Sequence, residues 1–454
     1  MTGTSVENVS SRLPTNSGPA HDAPHLARHW GEALAAVLAG FVAMAVVAAL
    51  GLWAAGAADL PGGFVNVVAA VVVMAAGGQI DLSGDAGALA GTNAELTAMP
   101  LTVTLVGALV TGFCFLLPLR HHAVARTRDL LARAGRTVLL WLAGLACLSA
   151  LARHDFPVSI GGGESQDVMS DLFGELLEAA DPTVGFRTEL GPTLFFGLLW
   201  ILGVLLMALL VSRGTPLPPR LVRYHEAVRP VASAMLLLLL AYVLLGLVIG
   251  IVVAATRGHA TETFAVILLG LPNVSWLALG VGIGGSWEGT VEGPFGLPMP
   301  PILDAVLRTD TAGLSTVDLS SLADYDSRAW WLLPVAAVLV LAVAFVAAVR
   351  SPARTRLWQH ALHLGIAFAL TMLVVTPVTL VEARFGLSIL GIGDLESLGG
   401  RVVLRPHIWK TAGFALLWGL VAGFLGALLA SRVRRRGEVD APLEDPAGEQ
   451  RPKA

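Results

Sequence analysis

Six residues could meet a solute inside a membrane: Asn66 and Gln79 in one apolar stretch, and Pro272, Asn273, Ser275 and Trp276 in another. Carboxamides and hydroxyls donate and accept hydrogen bonds without changing charge. Such groups suit a vestibule lined with water. They equally suit the repair of backbone that a proline has opened, because proline removes a donor and breaks helix geometry. Either role is binding chemistry, not acid–base chemistry. Titratable side chains offer little more. Lys410 is the only charge inside the long apolar blocks, near one end, where its ammonium can snorkel to the interface. No Asp or Glu falls mid-block. That argues against a proton-coupled transporter, a cation pump or an intramembrane protease with paired aspartates.

Outside the blocks, Asp81, Asp85, Glu288 and Glu292 are the one group of acids placed for work on a lipid-linked sugar, and they read more simply as loop acids. His121-His122 and the pair His360 and His363 supply too few ligands for zinc, which takes four. Asp318, Asp324 and Asp326 lack the spacing and the glycine of a calcium loop. The glycine-rich run from Gly280 to Gly285 follows no strand and lacks the acidic residue of a dinucleotide site. Cys114 and Cys147 lie in apolar blocks and imply no disulfide framework. No catalytic residue, cofactor, metal or nucleic-acid partner is implied, and the chain reads as a non-enzyme.

The elements that would position these residues are membrane helices. Of 454 residues, 55% are hydrophobic and 14% charged, with mean hydropathy +0.73; soluble domains carry about 25% charged residues. The apolar residues fall in blocks of bilayer length: 33–58, 100–119, 137–152, 192–212, 230–256, 329–349, 357–381 and 406–430. Arg-rich segments 120–136, 213–229, 350–356 and 432–436 belong in the cytoplasm. Segments 153–191, 286–328 and 382–405 are then outside, and both termini are cytoplasmic. This parity leaves two stretches, 64–80 and 264–285, that begin and end outside. The second is 22 residues without a charge. Two readings remain for it: a re-entrant segment turning at Leu271-Pro272-Asn273, or one kinked helix in the outer interface. The expected fold is an all-α polytopic bundle of eight spans plus two re-entrant or outer-leaflet segments.

An internal repeat is visible. Phe196 opens FGLLWILGVLLMALLVSR and Phe414 opens FALLWGLVAGFLGALLASR, each the last span of its half. Gly77-Gly78-Gln79-Ile80-Asp81 matches Gly284-Gly285-Ser286-Trp287-Glu288. An even number of crossings per half makes the repeats parallel. The domain scheme is a tail at 1–28, a first repeat at 29–213, a linker at 214–230, a second repeat at 231–436 and a tail at 437–454. Both tails are expected to be disordered. Gly246-x-x-x-Gly250 and Gly419-x-x-x-Gly423 suit helix contact in lipid.

The stretch IDLSGDAGALAGTNAELTAMPLTVTLVGALVTGFCFLLPLR, from Ile80 to Arg120, resembles the actinobacterial hydrophobic membrane proteins called streptophobe. The resemblance implies a multi-pass protein of a bacterial plasma membrane and carries over no functional residues. An amphipathic helix is expected at 166–180, capped by Ser165, and 164–181 is a candidate docking segment for an extracytoplasmic protein. The leading reading is a non-enzymatic envelope scaffold presenting an acidic outer surface. The alternative is an uncoupled channel or permease for a small neutral solute, using 64–80 and 264–285.

Overall fold

The computed structural model describes residues 23–59, 63–85, 90–118, 127–157, 183–212, 219–292, 315–352, 355–389 and 400–432. The docking segment 164–181, His121, His122 and both tails beyond these limits lie outside the described residues. The first half contains α1 (Ala23–Ala54), α2 (Phe64–Ala75), β1 (Ile80–Asp85), β2 (Ala90–Ala98), α3 (Leu101–Leu116), α4 (Thr127–Leu151), β3 (His154–Pro157), β4 (Thr183–Thr188) and α5 (Leu190–Val211). The second contains α6 (Pro219–Thr256), α7 (Ala260–Gly282), β5 (Trp287–Glu292), β6 (Ser315–Val317), the short α8 (Leu319–Tyr325), α9 (Leu332–Arg350), α10 (Leu357–Val378), β7 (Val381–Ile389), β8 (Gly400–Pro406) and α11 (Ile408–Ala430). α6 runs without interruption through most of the expected linker and carries Pro230 inside it.

Among the described residues, eight helices are long and apolar enough to cross a membrane: α1, α4, α5, α6, α7, the stretch 327–350 ending in α9, α10 and α11. The expected all-α bundle is present. Its membership differs from the sequence reading by one exchange, since α7 qualifies by length and α3, with 16 residues, does not. The helices also leave apolar side chains uncovered in stripes. On α1 these are Leu34, Leu38, Val42, Val46 and Leu50, all exposed at one-turn spacing. Such a stripe needs a lipid solvent.

The sequence reading contained no sheet, yet the loops at one end of the bundle build one. Eight strands pair in the order β3-β4-β1-β2-β7-β8-β5-β6, every neighbour antiparallel. The sheet carries both buried and exposed side chains. Ile80, Phe186, Thr188 and Trp287 are buried, whereas Asp81, Arg187 and Arg405 are exposed. Because all four strand pairs share this sheet, all four connections lie at the same end. Three helices, α5, α6 and α7, lie between β4 and β5, so one of them must start and finish near the sheet.

That helix is α7. Its residues 267–273 meet the start of α3, and Gly282 packs against Leu332 at the start of α9. α2 behaves alike: Asn66 bonds to the end of α4, and Gly77 packs against Met99 and Phe196 beside the starts of α3 and α5. Both helices thus touch, near each of their ends, elements that adjoin the sheet. Of the two readings of this stretch, the turn at Leu271-Pro272-Asn273 does not occur: α7 is one continuous helix and holds Pro272 in its interior.

The two halves place their elements alike. The sheet order within the first, β3-β4-β1-β2, is that of the second, β7-β8-β5-β6. Ile80 faces Thr188 as Trp287 faces Pro406, and His154 faces Phe186 as Val381 faces Leu404. On α4, Arg133, Thr137, Trp141, Leu145 and Ser149 are buried; on α10, at one constant offset, His360, Leu364, Phe368, Met372 and Thr376 are. α4 packs on α5 as α10 packs on α11, and α1 on α3 as α6 on α9. In the first core Trp141 is stacked between Phe41 at 4.3 Å and Trp200 at 4.5 Å. In the second, Gly419 lies against the backbone of Gly365, where any Cβ would fall 2.7 Å from the Gly365 Cα.

Candidate functional site at the kinked helix

α7 is the element where polar groups of both halves converge. A proline inside a helix lacks the N–H for a bond to the carbonyl four residues earlier and crowds that carbonyl, so the turn before it opens. The opening is filled from the other half. The Thr102 hydroxyl of α3 accepts from the Leu271 N–H at 3.1 Å and donates to the Ile267 carbonyl at 2.9 Å. Residues 267 and 271 are the pair a regular helix would join directly, so the hydroxyl is inserted in the ladder one residue ahead of Pro272.

The next residue completes the joint. Asn273 Nδ2 donates to the Met99 carbonyl at 2.9 Å, and Asn273 Oδ1 accepts from the Leu101 N–H at 3.2 Å. Leu101 opens α3, so its N–H has no partner inside that helix. One carboxamide thus satisfies the end of a helix 172 residues away in sequence. Three hydrogen bonds fasten α7 to α3 and a fourth to Met99 just ahead of it, and Gly51 of α1 gives room for Leu268 and Leu269 beside them.

The other expected site residues are placed as follows. Pro272 is buried, and Ser275 is buried where Gly246 of α6 comes closest. The Trp276 indole N–H donates to the Leu239 carbonyl of α6 at 3.3 Å. Gly250 meets Ile267, so the Gly246–Gly250 pair does serve helix contact. Asn66 lies apart from this joint. Its Nδ2 donates to the carbonyls of Leu151 and Arg153 at 2.8 and 3.1 Å, closing the end of α4 in its own half. Gln79 is exposed, just before β1.

Asn66 and Asn273 are equivalent positions. Each stands eleven residues before a left-handed glycine, Gly77 at φ +93° and Gly284 at φ +98°. The glycine N–H groups bond backward alike, Gly77 to Met74 and Gly284 to Val281, then Gly78 to Val73 and Gly285 to Gly280. Only glycine enters that conformation freely. Sequence reasoning singled out both asparagines without linking them, and the shared distance to Gly-Gly was the available signal. Thr102 was missed, since nothing local marks a hydroxyl that serves a proline in another helix.

Other polar residues have plain duties. Asp318 and Asp326 accept from the N–H groups of Ser321 and Arg328 as helix caps. His360 is buried and His363 exposed, so the pair does not share a face. Two shallow surface hollows can be compared with these residues. One of about 460 Å³ between α9 and α11 is lined by Val338, Leu341, Ala342, Phe345 and Leu429, all apolar. One of about 270 Å³ is lined by Pro406, His407, Ile408, Trp409 and Lys410. None of the six expected path residues lines either.

Apolar helices of spanning length, lipid-type surface stripes and exposed Trp53, Trp330, Trp331 and Trp409 at the sheet end, with Trp358 at the other, define a multi-pass membrane protein. No protein-family model, no curated protein and no solved structure matches the chain.

Proposed function

We propose that this chain is a non-enzymatic scaffold of a bacterial plasma membrane, with both termini cytoplasmic and its sheet outside as a platform for an envelope partner. The two halves are read as parallel copies of one unit, with α2 and α7 as helices that enter from the outer face without crossing. The coinciding strand registers and buried positions support that reading. The acidic segments 153–191 and 286–328 give the outer side its charge.

One observation carries the scaffold reading over transport: the halves are fastened together on the sheet side. β2 and β7 pair over nine residues, from Ala90 with Ile389 to Ala98 with Val381, and the α7–α3 joint lies beside them. Alternating access needs one repeat to rock against the other, and a shared sheet opposes this. The test is thiol labelling from outside with an impermeant reagent. Ser275→Cys and Trp276→Cys should stay unlabelled while Asp318→Cys reacts. Labelling at 275 or 276 comparable to that at 318 would overturn the scaffold reading in favour of a water-filled channel.

A further inference from the structure

The second half carries a cation that the fold does not require. Thr193 and Thr411 are equivalent, each beside the second glycine of a Gly-Gly pair, and Phe196 and Phe414 follow three residues later in both. Counting back one residue, Pro192 stands where Lys410 stands. The same corner is therefore built once with a proline and once with a lysine. Lys410 is the only charge in α11. Its Nζ donates to Ser286 Oγ at 3.0 Å, and it forms no ion pair with a described carboxylate. The nearby acids are engaged: Glu288 Oε1 lies 2.7 Å from His407 Nε2, and Glu382 pairs with Arg405 at 3.2 Å. The side chain is exposed, so the other two ammonium donors are open to solvent or to a ligand.

The surroundings define the partner. The lysine borders the open hollow of about 270 Å³, which the consecutive residues Pro406, His407, Ile408, Trp409 and Lys410 line where β8 turns into α11. Trp409 is 82% exposed at the sheet end of the bundle, and on the proposed function, on which this inference rests, that end meets the head groups of the outer leaflet. A hollow of this size is below the roughly 300–1,000 Å³ that encloses a whole ligand, and it joins the apolar Pro406, Ile408 and Trp409 to a cation without an ion pair, with His407 already engaged by Glu288. An amphiphile with an anionic head fits both. We propose that this hollow seats the phosphate of an anionic phospholipid of the outer leaflet, with Lys410 as its counter-ion and Ile408 and Trp409 against its glycerol and acyl part.

The test uses the full chain in a neutral detergent, titrated with phosphatidylglycerol, phosphatidylcholine or inorganic phosphate, and read by native mass spectrometry and melting temperature. Phosphatidylglycerol should bind about fivefold more tightly than phosphatidylcholine, the size of one interfacial lysine contact. Lys410→Gln should abolish that preference and Lys410→Arg should keep it. A wild-type protein without the preference would overturn the proposal whatever the variants do. So would a Lys410→Gln protein that retains it, or free phosphate stabilising the wild type as well as the lipid does, which would assign the site to a soluble anion.

Discussion

α2 and α7 hold the same place in their halves and end in the same left-handed Gly-Gly corner, yet α2 has 12 residues and α7 has 23. The additional length lies ahead of the shared part. It carries Ile267, Leu268 and Leu269, which reach α3 and α1 of the first half. The equivalent asparagines diverge accordingly: Asn66 closes the end of α4 in its own half, whereas Asn273 closes the start of α3 in the other. The asymmetry makes a two-piece bundle from two like pieces. Lengthening one helix supplies the contact surface, and one carboxamide turned across the boundary supplies the register. A symmetric pair of short helices would leave the halves joined by the sheet alone on that side.

If the halves are equivalent in their cores, matched truncations should hurt both. Trp141→Ala and Phe368→Ala remove fully buried rings at corresponding positions of α4 and α10. Each should destabilise by about 3–5 kcal/mol in thermal or denaturant unfolding. Trp141 should be the worse by roughly 1 kcal/mol, because it also loses stacking on Phe41 and Trp200. A near-neutral Phe368→Ala would break the equivalence.

The joint should give a smaller effect with a distinctive pattern. Thr102→Val keeps the shape and removes the hydroxyl, leaving the Leu271 N–H and Ile267 carbonyl without it, a loss of about 1–3 kcal/mol. Combined with Asn273→Ala, the loss should depart from the sum of the two by about 0.5 kcal/mol or more, since both act on one contact. Thr102→Val with Asn66→Ala should add within about 0.5 kcal/mol, since Asn66 serves another helix end. Coupling between 66 and 102 instead would mean that the first half responds as a whole and that the joint is not local.

Much of this architecture could be read from the chain, and the reason is that lipid simplifies the problem. Twenty-residue apolar blocks mark the helices, with one exchange between α3 and α7. The Phe-x-Leu-Leu-Trp match aligned α5 with α11 in the register the structure has, and Gly77-Gly78 with Gly284-Gly285 in theirs. The sheet was not readable. β1 is IDLSGD and β2 is AGTNAELTA, short and rich in Gly, Ala, Asp and Asn, residues depleted in strands. Their pairing is settled by partners far off in sequence, β2 with β7 above all. Of the two readings of the second stretch, the turn failed for a similar reason and the single helix with an internal proline is the one present. Pro272 read as a turn, because a lone proline breaks a helix unless another group fills the gap, and Thr102 is on a distant helix.

The smallest effect expected belongs to an element with no counterpart between β2 and α3. α8 stands between β6 and α9, whereas β2 runs into α3 directly. Asp318 caps α8. Its side chain accepts from the Ser321 N–H at 2.9 Å and from the Ser320 hydroxyl at 2.7 Å, and the Ser321 hydroxyl accepts from the Asp318 N–H in return. Partial burial alone would raise the Asp318 carboxyl, but the hydrogen bonds from Ser321 and Ser320 outweigh it and hold the group below the usual carboxylate range. A folded-state pKa that is depressed stabilises at pH above the unfolded value, about 4, and this stabilisation fades as pH falls through the lower folded value. Asp318→Ala should therefore destabilise by about 1 kcal/mol at neutral pH and by progressively less in acid. Asp318→Asn keeps an acceptor and should lose little at neutral pH, with no contribution from position 318 to the acid slope. Melting temperatures of the three proteins from pH 7 to pH 3 check this. Identical acid slopes for wild type and Asp318→Asn would show that the cap does not set the stability of this corner, leaving α8 as a passive spacer between halves that are otherwise alike.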